Sequence, residues 1–223
     1  MVVVDSGVNP DNPHIGEIAG GVGIGPTGRE RPDFSDRLGH GTAVVAAIQE
    51  KAPEAEILVV KVFEGELATS LPGLRAALEW AVAERADLVN LSLGTPKPEH
   101  EGLLQSTVQE AIAAGVLIVS PREHRGHRWW PGAFSGVAGV LLDWECRREE
   151  LRLMDDPHGR PVFRASGFPR PVPGIPRERN IRGISFAAAN ATGILARVRE
   201  RAEPTQGIEK WCARIREGRA EAG

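Results

Sequence analysis

The sequence lacks several features that would point to particular classes of protein. No run reaches the length of about 18 apolar residues that a membrane-spanning helix requires, so no membrane association is expected. The formal net charge is only −3, which argues against a dedicated nucleic-acid surface. Tyrosine is absent, and this absence indicates no function.

Cysteine occurs only at Cys146 and Cys212, which could pair or remain free, and we expect free thiols. The opening methionine and three valines lack the basic segment, long apolar core and cleavage site of a secretory signal. We therefore expect a cytoplasmic protein. No Cys/His spacing suggests zinc and no carboxylate-dense loop suggests calcium, so we expect no metal and no cofactor.

The residues present indicate an α/β protein. With 223 residues, 41% apolar and 26% charged, the chain suits one domain with at most a short appendage. Short apolar runs alternate with helical patterns, which predicts a doubly wound, mostly parallel sheet flanked by helices. The strands are predicted at 2–4, 57–62, 88–93, 116–119 and 137–142.

Five helices are predicted between and after these strands. One is capped by Ser70, one begins at or beside His40, one stops at Gly115 and one runs on from Ser185. The last carries Ile208, Trp211, Cys212 and Ile215 on one stripe. We place the main domain at 1–200 and expect an amphipathic helix in 201–223 that packs on it. Residues 9–39 and 155–183 are predicted to be loops.

Three segments place an acid, a histidine and a serine where an α/β sheet can use them together. Asp5 follows the first strand, His40 lies between two glycines before a helix, and Ser185 opens a late helix. A carboxylate can orient a histidine, and that histidine can take the proton of a serine hydroxyl. Taken alone, Asp5 also suits a turn, His40 a loop and Ser185 a helix N-cap.

These segments read Val2-Val3-Val4-Asp5-Ser6-Gly7, Gly39-His40-Gly41-Thr42 and Gly183-Ile184-Ser185-Phe186-Ala187-Ala188. In this chain order, Asp then His then Ser, they resemble the subtilisin-like serine proteases. The resemblance covers most of residues 1–200. It implies that Ser185 is the nucleophile, His40 the general base and Asp5 the residue that orients it. The serine segment departs from the family pattern Gly-Thr-Ser-Met-Ala-Ala-Pro at Ile184, Phe186 and Ala189.

The segment Ser92, Leu93 and Gly94 resembles the family's substrate-binding strand, and residues 64–68 would form the opposite rim. The resemblance implies that an extended peptide or protein substrate pairs with this backbone. A buried strand ending in a simple turn would explain the same residues.

One part of the family pattern is missing. The asparagine that donates to the oxyanion in the family aligns with His124. His124 or His127 could donate instead, one of Arg122, Arg125 and Arg128 could do so, or the site could be weakened.

The resemblance also implies that the loop 122–130 walls the pocket for the residue before the scissile bond. That loop is basic and ends in two tryptophans. Such a loop would make the enzyme selective for substrates with an acidic or polar side chain at this position. A basic face in contact with solvent would explain the same arginines equally well.

Two functions remain open. The first is an intracellular endopeptidase with a restricted substrate range, such as precursor maturation. The second is a weak or inactive relative that binds peptides. The compact chain also leaves room for a partner chain. The motif Gly23-Ile24-Gly25-Pro26-Thr27-Gly28 fits a dinucleotide fingerprint, but we expect it in a loop without a following helix and reject nucleotide binding.

Overall fold

The computed structural model of the chain describes residues 1–200 and 207–220. Its larger strands are formed by the apolar runs of the sequence, and short strands occur in the hairpins. In chain order the strands are β1 (Val2–Asp5), β2 (Gly20–Ile24), β3 (Glu30–Arg31), β4 (Leu58–Lys61), β5 (Leu88–Leu91), β6 (Leu117–Pro121), β7 (Glu123–His124), β8 (His127–Arg128), β9 (Ala138–Leu142), β10 (Leu151–Asp155) and β11 (Pro161–Ala165).

The helices begin and end close to the predicted positions. Ser70 caps α2, because its hydroxyl accepts a hydrogen bond from the Gly73 N–H at 3.0 Å. The helices are α1 (His40–Gln49), α2 (Leu71–Ala83), α3 (Glu99–Ala113), α4 (Ile184–Glu200) and α5 (Ile208–Ala220), with a short 3-10 turn at Arg177–Arg179. In the described part of the chain, no helix has both the length and the apolar character needed to cross a membrane.

Nine strands form one sheet in the spatial order β10-β11-β9-β6-β5-β1-β4-β2-β3. All neighbours from β11 to β2 are parallel, and only the edge strands β10 and β3 are antiparallel. This confirms the predicted doubly wound α/β class. The order reverses at β1, which has β4 on one side and β5 on the other, and such a reversal opens a crevice at the carboxyl ends of the strands.

Helices cover both faces of the sheet. The alternation of side chains along β1 shows this directly, since Val2 and Val4 pack in the cluster formed with α2 and α3, and Val3 packs against α1. All three valines are fully buried. The central strands are thus apolar on both faces, which explains why their sequences are continuous apolar runs.

The stripe of α5 is buried against the sheet. Ile208, Trp211, Cys212 and Ile215 lie in one cluster with Phe163 of β11. Of the predicted segment 201–223, residues 201–206 and 221–223 lie outside the described residues. Cys146 and Cys212 are both buried and unpaired, and burial raises the pKa of each thiol to about 11.

The two predicted loops contain strands at the sheet edges. Residues 9–39 include β2 and β3, and residues 155–183 include β11. The fingerprint at 23–28 therefore does follow a strand, contrary to our expectation. It turns back into β3 through a bond from the Gly28 N–H to the Gly25 carbonyl at 2.9 Å, and no helix follows it.

Candidate active site

Asp5 and His40 form a buried pair at the carboxyl end of β1. Asp5 Oδ1 lies 2.7 Å from His40 Nδ1 and accepts a second hydrogen bond from the Ser6 N–H at 2.7 Å. The Asp5 side chain is fully buried, whereas 13% of the His40 side chain is exposed. A carboxylate in this position holds the proton on Nδ1 and leaves the Nε2 lone pair free. His40 is thereby set up as a general base.

A close backbone contact brings α1 to the end of β1. A Cβ atom at Gly41 would lie 2.2 Å from the Gly7 carbonyl oxygen, a distance that no side chain tolerates. The Gly41 N–H donates to Ser6 Oγ at 2.8 Å. The glycine after His40 is thus required because only a bare backbone lets the histidine reach Asp5.

Asp36 organises the turn that presents His40, a role that was not predicted from the sequence. The helix N-cap is Gly39, which has no side chain to satisfy the first amides of α1. Asp36 Oδ2 accepts from the Thr42 N–H at 2.9 Å, and Oδ1 accepts from the Gly39 N–H at 2.9 Å. An acid three residues before the glycine N-cap was the available signal.

The electrostatics of His40 favour its protonated form. Burial acts to lower the pKa of His40, but the hydrogen bond and negative charge of Asp5, with the charge of Asp36, outweigh it and raise the pKa above its ordinary value. A base with a raised pKa binds the proton that it takes more strongly.

Ser185 lies in the first turn of α4 and faces the end of β5. Its Oγ donates to the Ser92 carbonyl oxygen at 3.0 Å, and Ser92 Oγ donates to the Ser185 carbonyl oxygen at 3.0 Å. Within the described residues, the hydroxyl is thus directed at Ser92 rather than at His40. The Ser185 N–H lies in the helical turn whose amides have no intrahelical acceptor, so it is available to an anion.

A buried hydrogen-bond chain fixes α4 against β5. Thr192 Oγ1 donates to Asn90 Oδ1 at 2.9 Å, and Asn90 Nδ2 donates to Ser92 Oγ at 2.9 Å. Asn90 and Thr192 are fully buried. The sequence indicated no role for them, because the bond that joins Thr192 to Asn90 links residues 102 positions apart in the chain.

His40 and Ser185 line one cleft of about 680 Å³. Ser92, Leu93 and Gly94 line it as well, and Leu67 and Ala68 supply the opposite rim. The structure thus brings together the predicted acid–base–nucleophile set and the predicted substrate segment. Other lining residues are Phe63, Thr69, Ser70, Leu71, Leu74, Thr95, Lys97, His100, His124, Trp129, Ile181, Arg182, Gly183, Ile184 and Phe186.

Among the alternative oxyanion donors, His124 is the one that lines the cleft. His127, Arg125 and Arg128 are exposed on the hairpin of β7 and β8, and Arg122 forms an ion pair with Asp156. Burial and the charge of Arg125 lower the pKa of His124. A neutral imidazole of this kind offers one N–H donor.

The described residues contain no cluster of three or more His, Cys, Asp and Glu side chains that could hold a metal ion. Ser185 and His40 line the cleft, and the buried Asp5 lies behind His40.

A serine, a histidine and a buried aspartate around one cleft, at the carboxyl ends of parallel strands, define the class of α/β proteins that carry a Ser-His-Asp set. The sequence model of the Subtilase family matches residues 2–120. Since this is more than half of the chain, the chain belongs to the subtilase family of subtilisin-like serine proteases. The matched region contains Asp5 and His40, whereas Ser185 lies beyond it.

Named relatives agree with this assignment. The chain is 33% identical over 153 residues to the "Minor extracellular protease Epr" of Bacillus subtilis, a match that covers 63% of this chain and 22% of that protein. It is 27% identical over 221 residues to the "Thermostable alkaline protease" of Halalkalibacterium halodurans, covering 90% of this chain and 56% of that protein. The chain thus spans about half, or less, of these relatives.

A solved structure shares the fold. The "Crystal structure of a cold adapted subtilisin-like serine proteinase" superposes with a TM-score of 0.69 at 19% identity, covering 92% of this chain and 76% of that chain. This similarity supports the subtilisin-like α/β fold.

Proposed function

We propose that this protein is a serine endopeptidase with a restricted substrate range. The observation that carries the proposal is the buried Asp5–His40 pair, joined at 2.7 Å, which opens into the cleft that also holds Ser185. An acid buried against one ring nitrogen leaves the other nitrogen facing the cleft, where a serine hydroxyl can meet it.

In the proposed reaction, the Ser185 hydroxyl turns from the Ser92 carbonyl to His40 Nε2. His40 takes the proton while Oγ bonds to the peptide carbonyl carbon, and the charge moves to the carbonyl oxygen. The Ser185 N–H and His124 then hold this oxyanion. His40 returns the proton to the leaving amine, the C–N bond breaks, and water releases the acyl group by the same steps in reverse order.

The segment 92–94 is proposed to bind the peptide as an added strand. Among the described residues, the N–H and C=O groups of Gly94 carry no hydrogen bond, so a substrate backbone can use both. The neighbouring Thr95 already pairs with Trp130 through bonds of 2.9 and 3.0 Å. The free edge is therefore short, which suits a short extended substrate, and a partner chain could extend it.

A peptide-binding protein without proteolysis is the second candidate. It is favoured by the bond from the Ser185 hydroxyl to the Ser92 carbonyl and by the histidine at the oxyanion position. Both candidates use the same cleft and the same extended peptide, and they differ only in whether a peptide bond is cut.

The experiment that separates them is digestion of a diverse peptide mixture, read by mass spectrometry, with the wild type and Ser185→Ala. We expect the wild type to cut and the variant to leave the mixture intact, because removing the nucleophile of such a set lowers kcat about 10⁶-fold. Ser135→Ala, an exposed serine outside the cleft, is the matched control and should cut like the wild type. Intact peptides with all three proteins would refute the protease and favour the binding protein.

A cytoplasmic location also remains a proposal. It is supported by the two buried free thiols, which an oxidising compartment does not favour. Fractionation of the native host, followed by detection of the protein in the soluble cytoplasmic fraction, would test it, and recovery from the medium would contradict it.

A further inference from the structure

The indole of Trp129 lies where the cleft passes Gly94. The backbone around it is fixed on two sides, since Trp130 and Thr95 exchange hydrogen bonds of 2.9 and 3.0 Å and the Trp129 N–H donates to the Arg122 carbonyl at 2.9 Å. Trp129 is half-buried and lines the same cleft as Ser185. Its side chain therefore projects from a braced hairpin into the site.

The contact with Gly94 shows how closely the indole is packed. A Cβ atom at Gly94 would lie 2.8 Å from Trp129 Cε3 and 2.9 Å from the Trp130 carbonyl oxygen, so no side chain fits between them. On its other side, Trp129 meets the His124 ring edge to face, with ring centroids 5.2 Å apart. The indole thus fills the space between the substrate segment and the proposed oxyanion donor.

This space is the one that a substrate side chain needs. The Cα atom of the residue before the scissile bond is one bond away from the carbonyl carbon that Ser185 attacks. Its side chain must therefore enter the region bounded by Gly94, His124 and Trp129. The indole occupies part of this region, so less volume remains for that side chain than a small residue at position 129 would leave.

We propose that Trp129 determines specificity by closing this subsite, so that the protein cleaves after glycine or alanine and excludes large side chains. The inference rests on the proposed function, since it names the substrate class of the same cleft. It differs from the expected preference for an acidic or polar residue, which was based on the arginines of the loop. The arginines of the hairpin do not line the cleft, whereas its aromatic ring does.

The test uses a series of peptides that differ only in the residue before the cut bond: Gly, Ala, Leu, Phe or Asp. For the wild type we expect kcat/KM after Gly or Ala to exceed that after Phe by about 100-fold, since forcing a ring into a filled space is strongly unfavourable. Trp129→Ala should raise kcat/KM for the Phe and Leu peptides at least about 10-fold relative to the Gly peptide. Trp144→Ala, which removes a half-exposed indole outside the cleft, should leave the order of preference unchanged.

A second measurement, of peptide binding, does not depend on proteolysis. Peptides that end in Gly or in Phe are titrated into Ser185→Ala and into Ser185→Ala/Trp129→Ala by calorimetry. We expect the Gly-ending peptide to bind the first protein more tightly and the Phe-ending peptide to gain affinity in the second. If the wild type cuts after Phe as well as after Gly, or if Ser185→Ala binds both peptides equally or binds neither, the inference is overturned.

The two arms separate the failures. Selective binding by Ser185→Ala without any cleavage by the wild type would overturn the protease and leave the closed subsite standing. Cleavage by the wild type without any preference among the peptides would overturn the closed subsite and leave the protease standing. The wild-type selectivity is informative even if Trp129→Ala does not fold.

Discussion

The most demanding prediction concerns Asp36, because this residue acts on the site without lying in the cleft. Its Oδ2 accepts from the Thr42 N–H at 2.9 Å and from Thr42 Oγ1 at 2.6 Å. Its Oδ1 accepts from Ser6 Oγ and from the Leu38 and Gly39 N–H groups, each at 2.9 Å. Replacing Asp36 by Asn converts one of these acceptors into a donor.

The size of the effect follows from this geometry. In Asp36→Asn, the new NH₂ group faces the N–H and O–H of Thr42, or the donors on the other side if the amide flips. Thr42 is buried, so its N–H and its hydroxyl both lose their hydrogen-bond acceptor, at a cost of about 1–3 kcal/mol each. The cost for the hydroxyl is smaller if it rotates to another partner. We expect the free energy of unfolding to fall by about 2–4 kcal/mol.

The assay is urea unfolding at pH 7 in a Ser185→Ala background, which prevents self-digestion. Asp11→Asn, an exposed aspartate, is the control and should change the free energy of unfolding by less than about 0.5 kcal/mol. A loss of the same small size in Asp36→Asn would refute the assigned role.

The pH dependence gives a second check. Burial acts to raise the pKa of Asp36, but the bonds from Thr42, Leu38 and Ser6 outweigh it and lower the pKa. A group whose pKa is depressed in the folded state stabilises above its unfolded pKa of about 3.9 and loses this contribution as pH falls through its folded pKa. The difference in the free energy of unfolding between wild type and Asp36→Asn should therefore shrink as the pH is lowered below about 4. If this difference in free energy stayed constant with pH, the charge of Asp36 would not contribute to stability.

Two further predictions concern catalysis directly. Asp5→Asn should lower kcat by about 10⁴-fold, the size seen when the aspartate of other Ser-His-Asp enzymes is removed. Because Asp5 raises the pKa of His40 and the base acts when neutral, the acid limb of kcat/KM should also move to lower pH, and an unmoved limb would count against the pairing. His124→Ala should lower kcat about 10²–10³-fold and His124→Asn should retain most of it, since an amide can donate to the same oxyanion. Equal kcat values for wild type and His124→Ala on one peptide would exclude His124 as the donor.

The sequence predicted the centre of the sheet and missed its edges for a physical reason. Strands such as β1 and β5 are buried on both faces and read as continuous apolar runs. Next to the edge, β2 begins with two half-buried glycines, and the edge strand β3 is exposed. Such segments carry little hydrophobic pattern, so they were interpreted as loops.

The candidate site, like the sheet, was predicted only in part. Asp5, His40 and Ser185 stand in local motifs, and a motif can be read from a few neighbouring residues. The hydrogen bond from Ser6 Oγ to Asp36 and the contact of Trp129 with Gly94 join segments that are far apart in the chain. The family resemblance placed the loop 122–130 at this pocket, but composition and spacing contain no record of the contact between Trp129 and Gly94, so the proposed closing of the subsite could not be predicted from them.

The origin of the three reactive groups, one each from the end of β1, the start of α1 and the start of α4, has a consequence for self-digestion. A molecule in which α4 has left the sheet retains no partial site, because its nucleophile is separated from its base. If the protein is the proposed protease, such a molecule would be a substrate for folded copies and would attack nothing itself. Loss of the protein on storage should therefore depend on collisions between one folded and one opened copy, so dilution would slow the self-digestion of the proposed protease.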